Sequence, residues 1–169
     1  MENVEFKAEL RDPDLAEALL ARAGGVRVAV MEQSDTYYRV ADGRLTRRRC
    51  DEEPVEWIYY HRAATGVARL SRFTIYTDRE AKERFGALPM PVWLIVNKRR
   101  AMWVHGALRV HLDEVVGLGR FLEIESLVTP KRPEDECRRG VLAMRARLAP
   151  ALGEPISLGY ADLAGREAA

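Results

Sequence analysis

The sequence predicts an α+β domain, an antiparallel sheet of about eight strands curled toward closure with three helices packed outside it. Segments rich in Val, Tyr, Ile, Thr and Arg alternate with turn signals over residues 26–76, and three further strand-like segments follow between 92 and 128. Three separate segments carry helix caps or helical apolar stripes. In several strands charged side chains alternate with apolar ones, so one face is apolar and the other carries charge.

Taken in order, residues 3–10 form the first strand, with Glu5 and Lys7 alternating with Val4 and Phe6. Asp12-Pro13 supplies an N-cap and a first-turn proline, and Leu15, Leu19 and Ala23 make a helical stripe that ends at Gly24-Gly25. Four strands are predicted near 28–40, 44–50, 55–62 and 68–76, with turns near Asp42-Gly43 and Thr65-Gly66. Thr77 and Glu80 stand at capping-box spacing and open a helix reaching Gly86. Strands follow near 92–104, 107–114 and 119–128. Pro133 opens a third helix with Cys137, Val141, Met144 and Leu148 on one face, ending by Pro150. The tail is short and polar apart from Tyr160 and Leu163. No linker or repeat interrupts residues 1–169, so one domain is expected.

Composition excludes several classes. The 169 residues are 47% hydrophobic and 31% charged, with a net charge of +1, which gives no general push toward nucleic acid or an anionic membrane. Cys50 and Cys137 lack metal spacing and are expected as free thiols. No signal peptide is legible and no apolar run approaches 18 residues, so a cytoplasmic protein is expected. No P-loop, G-x-S-x-G, H-E-x-x-H or C-x-x-C motif occurs.

The segment RVHLDEVVGLGRFLEIE, residues 109–125, is the most informative. Arg109, His111 and Asp113 share one parity, and Glu123 and Glu125 share a parity opposite to Leu122 and Ile124. Carboxylates and bases on one concave wall are what phosphoryl transfer requires. Guanidinium forks bind phosphate oxygens in pairs, and carboxylates hold a hard divalent cation that offsets developing charge. Together with NVEFKA, QSDTYYRVADGRLTRRR, IYYHR, VNKRRAMW and GYADL, this segment resembles the CYTH family, the triphosphate tunnel metalloenzymes, which include class IV adenylate cyclases and thiamine triphosphatases. The similarity runs from Asn3 to Leu163.

The resemblance implies a closed or nearly closed eight-stranded antiparallel barrel, a triphosphate tunnel, with a charged interior. It implies metal-dependent phosphoryl transfer on inorganic triphosphate, thiamine triphosphate or a nucleotide, with adenylate cyclisation included. It implies Mg²⁺ or Mn²⁺ at Glu5, Asp113, Glu123 and Glu125, with Glu5, Glu123 and Glu125 catalytic. It implies phosphate binding by Lys7, Arg39, Arg48, Arg62, Lys98, Arg100, Arg109 and His111. Asn3 departs from the family pattern, standing for the first glutamate of E-x-E-x-K, as do Thr46, standing for a usual lysine, and His61, where an acidic, amide or basic residue is more usual. Arg47 also fills a usually apolar position, so Arg47 or Arg49 competes with Arg48 for the inward place. These departures support a second reading, a phosphate-binding module of the same fold without turnover. A third, RNA binding by RLTRRR and NKRR with Tyr59, Tyr60 and Trp103, is opposed by the acidic strands and the near-neutral charge.

Overall fold

The computed structural model describes residues 1–51, 53–62, 67–86 and 90–167. Its strands are β1 (Glu2–Leu10), β2 (Val26–Tyr38), β3 (Arg44–Cys50), β4 (Glu56–Arg62), β5 (Arg69–Tyr76), β6 (Val92–His105), β7 (Leu108–Val115), β8 (Gly119–Leu127) and β9 (Leu152–Pro155). The helices are α1 (Pro13–Arg22), α2 (Asp78–Phe85), α3 (Glu134–Leu148) and α4 (Tyr160–Glu167). The strand order is β5-β4-β3-β2-β6-β7-β8-β1-β9, and β1 also pairs with β5. That last pairing closes β1–β8 into the expected antiparallel barrel. β1 is shared along its length: Glu2–Glu5 face β5, while Ala8 and Leu10 face β9.

Local chemistry explains the ends of the elements. The Leu15 N–H donates to the Asp12 carboxylate at 3.0 Å, capping α1 behind Pro13. Thr77 and Glu80 form the reciprocal capping box of α2. The β7–β8 hairpin turns through Gly117 and Gly119, with φ of 76° and 113°, which side-chain-bearing residues rarely adopt. The turn expected at Thr65-Gly66 lies outside the described residues.

The apolar parity of β1, β7 and β8 points out of the barrel. Val4, Phe6, Val110, Leu122 and Ile124 pack there with Leu20, Val141, Met144 and Leu148 of α1 and α3. The main core thus lies between barrel and helices, which leaves the opposite parity to face inward. The buried stripe of α1 is shifted from the expected one by one residue: Ala16 and Leu20 are buried, whereas Leu15 and Leu19 are only partly so. The tail departs more. The tail, read only as short and polar apart from Tyr160 and Leu163, forms β9 and α4, and Tyr160 is buried with Phe121 and Val115. Both elements are short, so neither displays enough periods to be read from sequence.

Candidate active site

The inward parity surrounds a cavity of about 640 Å³. β1 contributes Asn3, Glu5 and Lys7; β8 contributes Glu123 and Glu125; β7 contributes Arg109 and His111; β6 contributes Lys98 and Arg100; β3 contributes Thr46 and Arg48. Cross-strand register brings the acids together, because Glu5 stands opposite Glu125 and Lys7 opposite Glu123. His111 stands opposite Glu123, and Arg109 opposite Glu125.

Two buried aspartates hold the cations from behind. Asp35 accepts Arg48 Nε and Nη2, each at 2.8 Å, and Lys98 Nζ at 2.7 Å. Burial alone would raise the Asp35 pKa, but the Arg48 and Lys98 cations hold it far below the usual carboxylate range. Burial, aided by the charge of Arg48, lowers Lys98 to about 8, and Asp35 limits the fall. Asp113 accepts Arg100 Nε and Nη2, each at 2.7 Å, and the Tyr160 hydroxyl at 2.6 Å. Arg100 Nη2 also donates to Glu123 at 3.0 Å. Burial opposes the Arg100 charge, yet Asp113 and Glu123 keep its pKa well above the ordinary value.

The acids are not equivalent. Glu5 accepts Arg69 Nε at 3.2 Å, and Lys7 Nζ lies 3.9 Å from Glu123. Lys7 Nζ also sits 3.8 Å above the Tyr160 ring. Glu125 accepts from Arg109 at 3.2 Å and from the Asn3 amide at 3.4 Å. Burial and then the neighbouring Glu123 charge push its pKa upward. His111 is 4% exposed, and among the described residues neither ring nitrogen has a hydrogen-bond partner. Burial, then Arg100, lowers its pKa well below the usual value, so the ring is neutral near pH 7.

Most of the expected site residues converge on this cavity, with two exceptions. Arg39 is exposed and does not line it. β2 ends at Tyr38, and the Arg39 N–H turns to the Pro91 carbonyl, so the inward alternation stops one residue too soon. Asp113, expected as a metal ligand, shares the inward parity but does not itself line the cavity, and its oxygens are engaged by Arg100 and Tyr160. The side chain of Arg62 lies outside the described residues. The competition within RLTRRRC is resolved in favour of Arg48: Arg47 lies 3.7 Å from Asp78 beside α2, and Arg49 pairs across the strand with Ser34. Sequence reading missed Asp35, Arg69 and Tyr160. Strand parity signalled Asp35, which shares the face of Gln33 and Tyr37; Arg69 needed the β1–β5 register, and Tyr160 needed α4.

The donor set suits a hard cation, since Glu5, Glu123, Glu125 and the unpartnered, buried Asn3 Oδ1 are all oxygen donors on two adjoining strands. Among the described residues no group of three or more His, Cys, Asp and Glu side chains is already arranged to hold a metal ion. Salt bridges to Arg69, Arg100 and Arg109 occupy the carboxylates instead.

A family model for the CYTH domain matches residues 1–151. Among solved structures, PH1012 of Pyrococcus horikoshii OT3 superposes with a TM-score of 0.73 at 20% identity, covering 96% of this chain and 99% of its own. A candidate adenylate cyclase of Vibrio parahaemolyticus gives a TM-score of 0.70 at 17% identity, covering 96% and 97%. HpAC1 of Hippeastrum, a candidate adenylyl cyclase with a dominant triphosphatase activity, gives 0.63 at 16% identity, covering 99% and 96%. A search of the curated proteins finds no match.

Proposed function

The chain belongs to the CYTH domain family, and from that premise we propose that it is a metal-dependent enzyme acting on a triphosphate-containing substrate. The observation that carries the reading is the convergence of Lys7, Arg48, Lys98 and Arg100 on one cavity whose β1–β8 wall bears Glu5, Glu123 and Glu125. A triphosphate is a string of anionic oxygens, and cations approaching from β1, β3 and β6 meet it from several sides. Asp35 and Asp113 fix the forks of Arg48 and Arg100, so little side-chain entropy is lost when phosphate arrives.

Glu5, Glu123, Glu125 and Asn3 Oδ1 are the groups that would hold Mg²⁺ or Mn²⁺. Bound there, the cation would offset charge that develops on the transferring phosphoryl group. The raised pKa of Glu125 means that a further positive charge beside it is favourable. Neutral His111, opposite Glu123 and beside Glu125, offers one N–H donor to a phosphate oxygen. The free cysteines and the absence, among the described residues, of a helix long and apolar enough to cross a membrane accord with a cytoplasmic enzyme.

A second reading, a phosphate-binding module without turnover, is favoured by Asn3, which places an amide where the family has a carboxylate and spends its N–H on Glu125. RNA binding fits the geometry less well, because Trp103 is buried and Tyr60 lines the cavity rather than an outer basic face. Phosphate release from tripolyphosphate, thiamine triphosphate and ATP with Mg²⁺ or Mn²⁺, with cyclic AMP assayed in the ATP sample, tests the proposal. Metal-dependent turnover of at least one is expected. Binding of all three with turnover of none selects the second reading, and no binding at all removes both.

A further inference from the structure

The outer wall of the barrel is covered unevenly. α1 and α3 cover the outer faces of β1 and β8, Ala81 and Phe85 of α2 pack with Leu45 and Trp57 of β3 and β4, and α4 meets Trp93 and Leu94 at one end of β6. Between them the outer face of β2, β6 and β7 stays open. Val28 is 54% exposed and Val30 45%, and Glu32, Arg99 and Glu114 are exposed beside them.

Strand register orders this face into rows. Glu32 of β2 stands opposite Arg99 of β6, Arg99 opposite Glu114 of β7, and Glu114 opposite Arg120 of β8. All four side chains are exposed, and the row reads acid, base, acid, base across four neighbouring strands. Neighbouring strands lie about 4.8 Å apart, so the row is about 14 Å long. The next row along the strands is apolar: Val30 stands opposite Ala101, and Ala101 opposite Leu112. Attraction between cross-strand neighbours supports the sheet itself. It does not cover the valines beside the charged row, whose burial is favourable.

The charged row holds two acids and two bases, so neither a polyanion nor a polycation is drawn to it. Its order is self-complementary instead. A twofold axis that lies between two copies, parallel to the strands and midway between β6 and β7, reverses the row. Arg99 then meets Glu114 of the second copy, and Glu32 meets Arg120 of the second copy, each contact occurring twice. The same axis lays the two apolar rows along each other, with the small Ala101 over Leu112 of the second copy. An axis across the strands would instead set like charge on like, which is unfavourable. We propose that the outer face of β2, β6 and β7 binds a second copy of this chain in this twofold arrangement. The wall is convex, so contact centres on β6 and β7, and the interface is small, as in transient complexes.

Sedimentation velocity of the full chain over a concentration series tests it. Native protein is expected to pass from monomer to dimer, with a dissociation constant that rises about tenfold between about 0.05 M and 0.5 M salt. Arg99→Glu and Glu114→Arg, each alone, set like charges against each other twice and are expected to weaken association at least about tenfold. An equimolar mixture of the two variants is expected to associate as the native protein does. In the mixture each new charge meets its opposite on the other chain, while the cross-strand repulsion inside each chain remains. Should either variant fail to fold, Glu32→Arg mixed with Arg120→Glu makes the same exchange at the outer contact and is read in the same way. Native protein that stays monomeric throughout the series overturns the inference. So does a dimer that neither variant weakens, or a loss of association that the mixture does not restore.

Discussion

The outer and inner faces of β1 and β8 are equally buried and opposite in chemistry. On the outer face Val4, Phe6, Leu122 and Ile124 are at most 2% exposed and meet α1 and α3. On the inner face Glu5, Lys7 and Glu123 are 6–7% exposed, yet they carry charge. Burial by itself therefore does not separate core from site. The outer face gains free energy by leaving water and needs only complementary shape. The inner face loses hydration, so each charge there needs a partner, and each partner can be exchanged for a ligand. One alternating sequence provides both faces because successive strand residues point to opposite sides.

The largest expected effects probe this contrast directly. Ile124→Ala removes outer-face volume and should cost about 2–5 kcal/mol, whatever ligand is present. Asp35→Asn keeps shape but leaves the buried Arg48 and Lys98 without their carboxylate, and should cost about 3–5 kcal/mol. The two variants should then diverge on adding tripolyphosphate. A ligand at about one hundred times its dissociation constant stabilises by about 2.7 kcal/mol. Thermal scans should show the native increment in Ile124→Ala and a larger one in Asp35→Asn, where the anion takes over the missing charge. Equal increments in both would show that Arg48 and Lys98 do not meet the ligand.

A smaller effect separates the two glutamates of β8. Glu123 is paired with Arg100 and Lys7, whereas Glu125 is crowded by Glu123 and by burial. Glu125→Gln should therefore raise stability by about 0.5–1 kcal/mol, as relief of a functional charge commonly does. Glu123→Gln should lower it by about 1–3 kcal/mol, because Arg100 loses an ionised acceptor. The sign has a pH signature. A carboxyl whose folded pKa is raised favours the folded state at low pH and disfavours it once both states are ionised. The gain from Glu125→Gln should appear near neutrality and shrink as pH falls through the acidic range. Denaturant titrations of both variants check this, and a destabilised Glu125→Gln would show that the Arg109 pair outweighs the crowding.

What was legible in the sequence follows from the same contrast. Alternation is a local signal, so the parity of Glu5, Lys7, Lys98, Arg100, Glu123 and Glu125 could be read residue by residue, and all line the cavity. The closure of the barrel by β1 and β5 is a pairing across more than sixty residues, and only the family resemblance implied it. Arg39 was misread because parity holds only while the strand lasts, and β2 stops at Tyr38. Asp113 has the inward parity, but its oxygens are taken by Arg100 on the next strand and by Tyr160 on α4, neither adjacent in sequence. The cations of the cavity are held by Asp35, Asp113 and the glutamates, a compensation visible only once the strands are paired.

The smallest expected effect concerns Lys98, an inner-face cation whose charge burial opposes. Its folded pKa of about 8 lies below the ordinary 10.5. Below pH 8 the ammonium is present in both folded and unfolded chains, and its burial cost is fully felt. Between about pH 8 and 10.5 the unfolded chain keeps the proton that the folded chain has lost, so this group's contribution to stability rises with pH. Ligand binding has the opposite slope. A phosphate beside Lys98 favours the charged form, so binding above pH 8 must first restore a proton. Tripolyphosphate affinity should therefore fall about threefold between pH 7.5 and 8.5 beyond any change due to the ligand's own titration. Lys98→Met supplies the reference, since the ligand titrates identically with both proteins while the side-chain proton is absent. Calorimetry at the two pH values should show a steeper decline in the native protein than in Lys98→Met. Parallel declines would mean that Lys98 serves Asp35 alone and does not reach the phosphate.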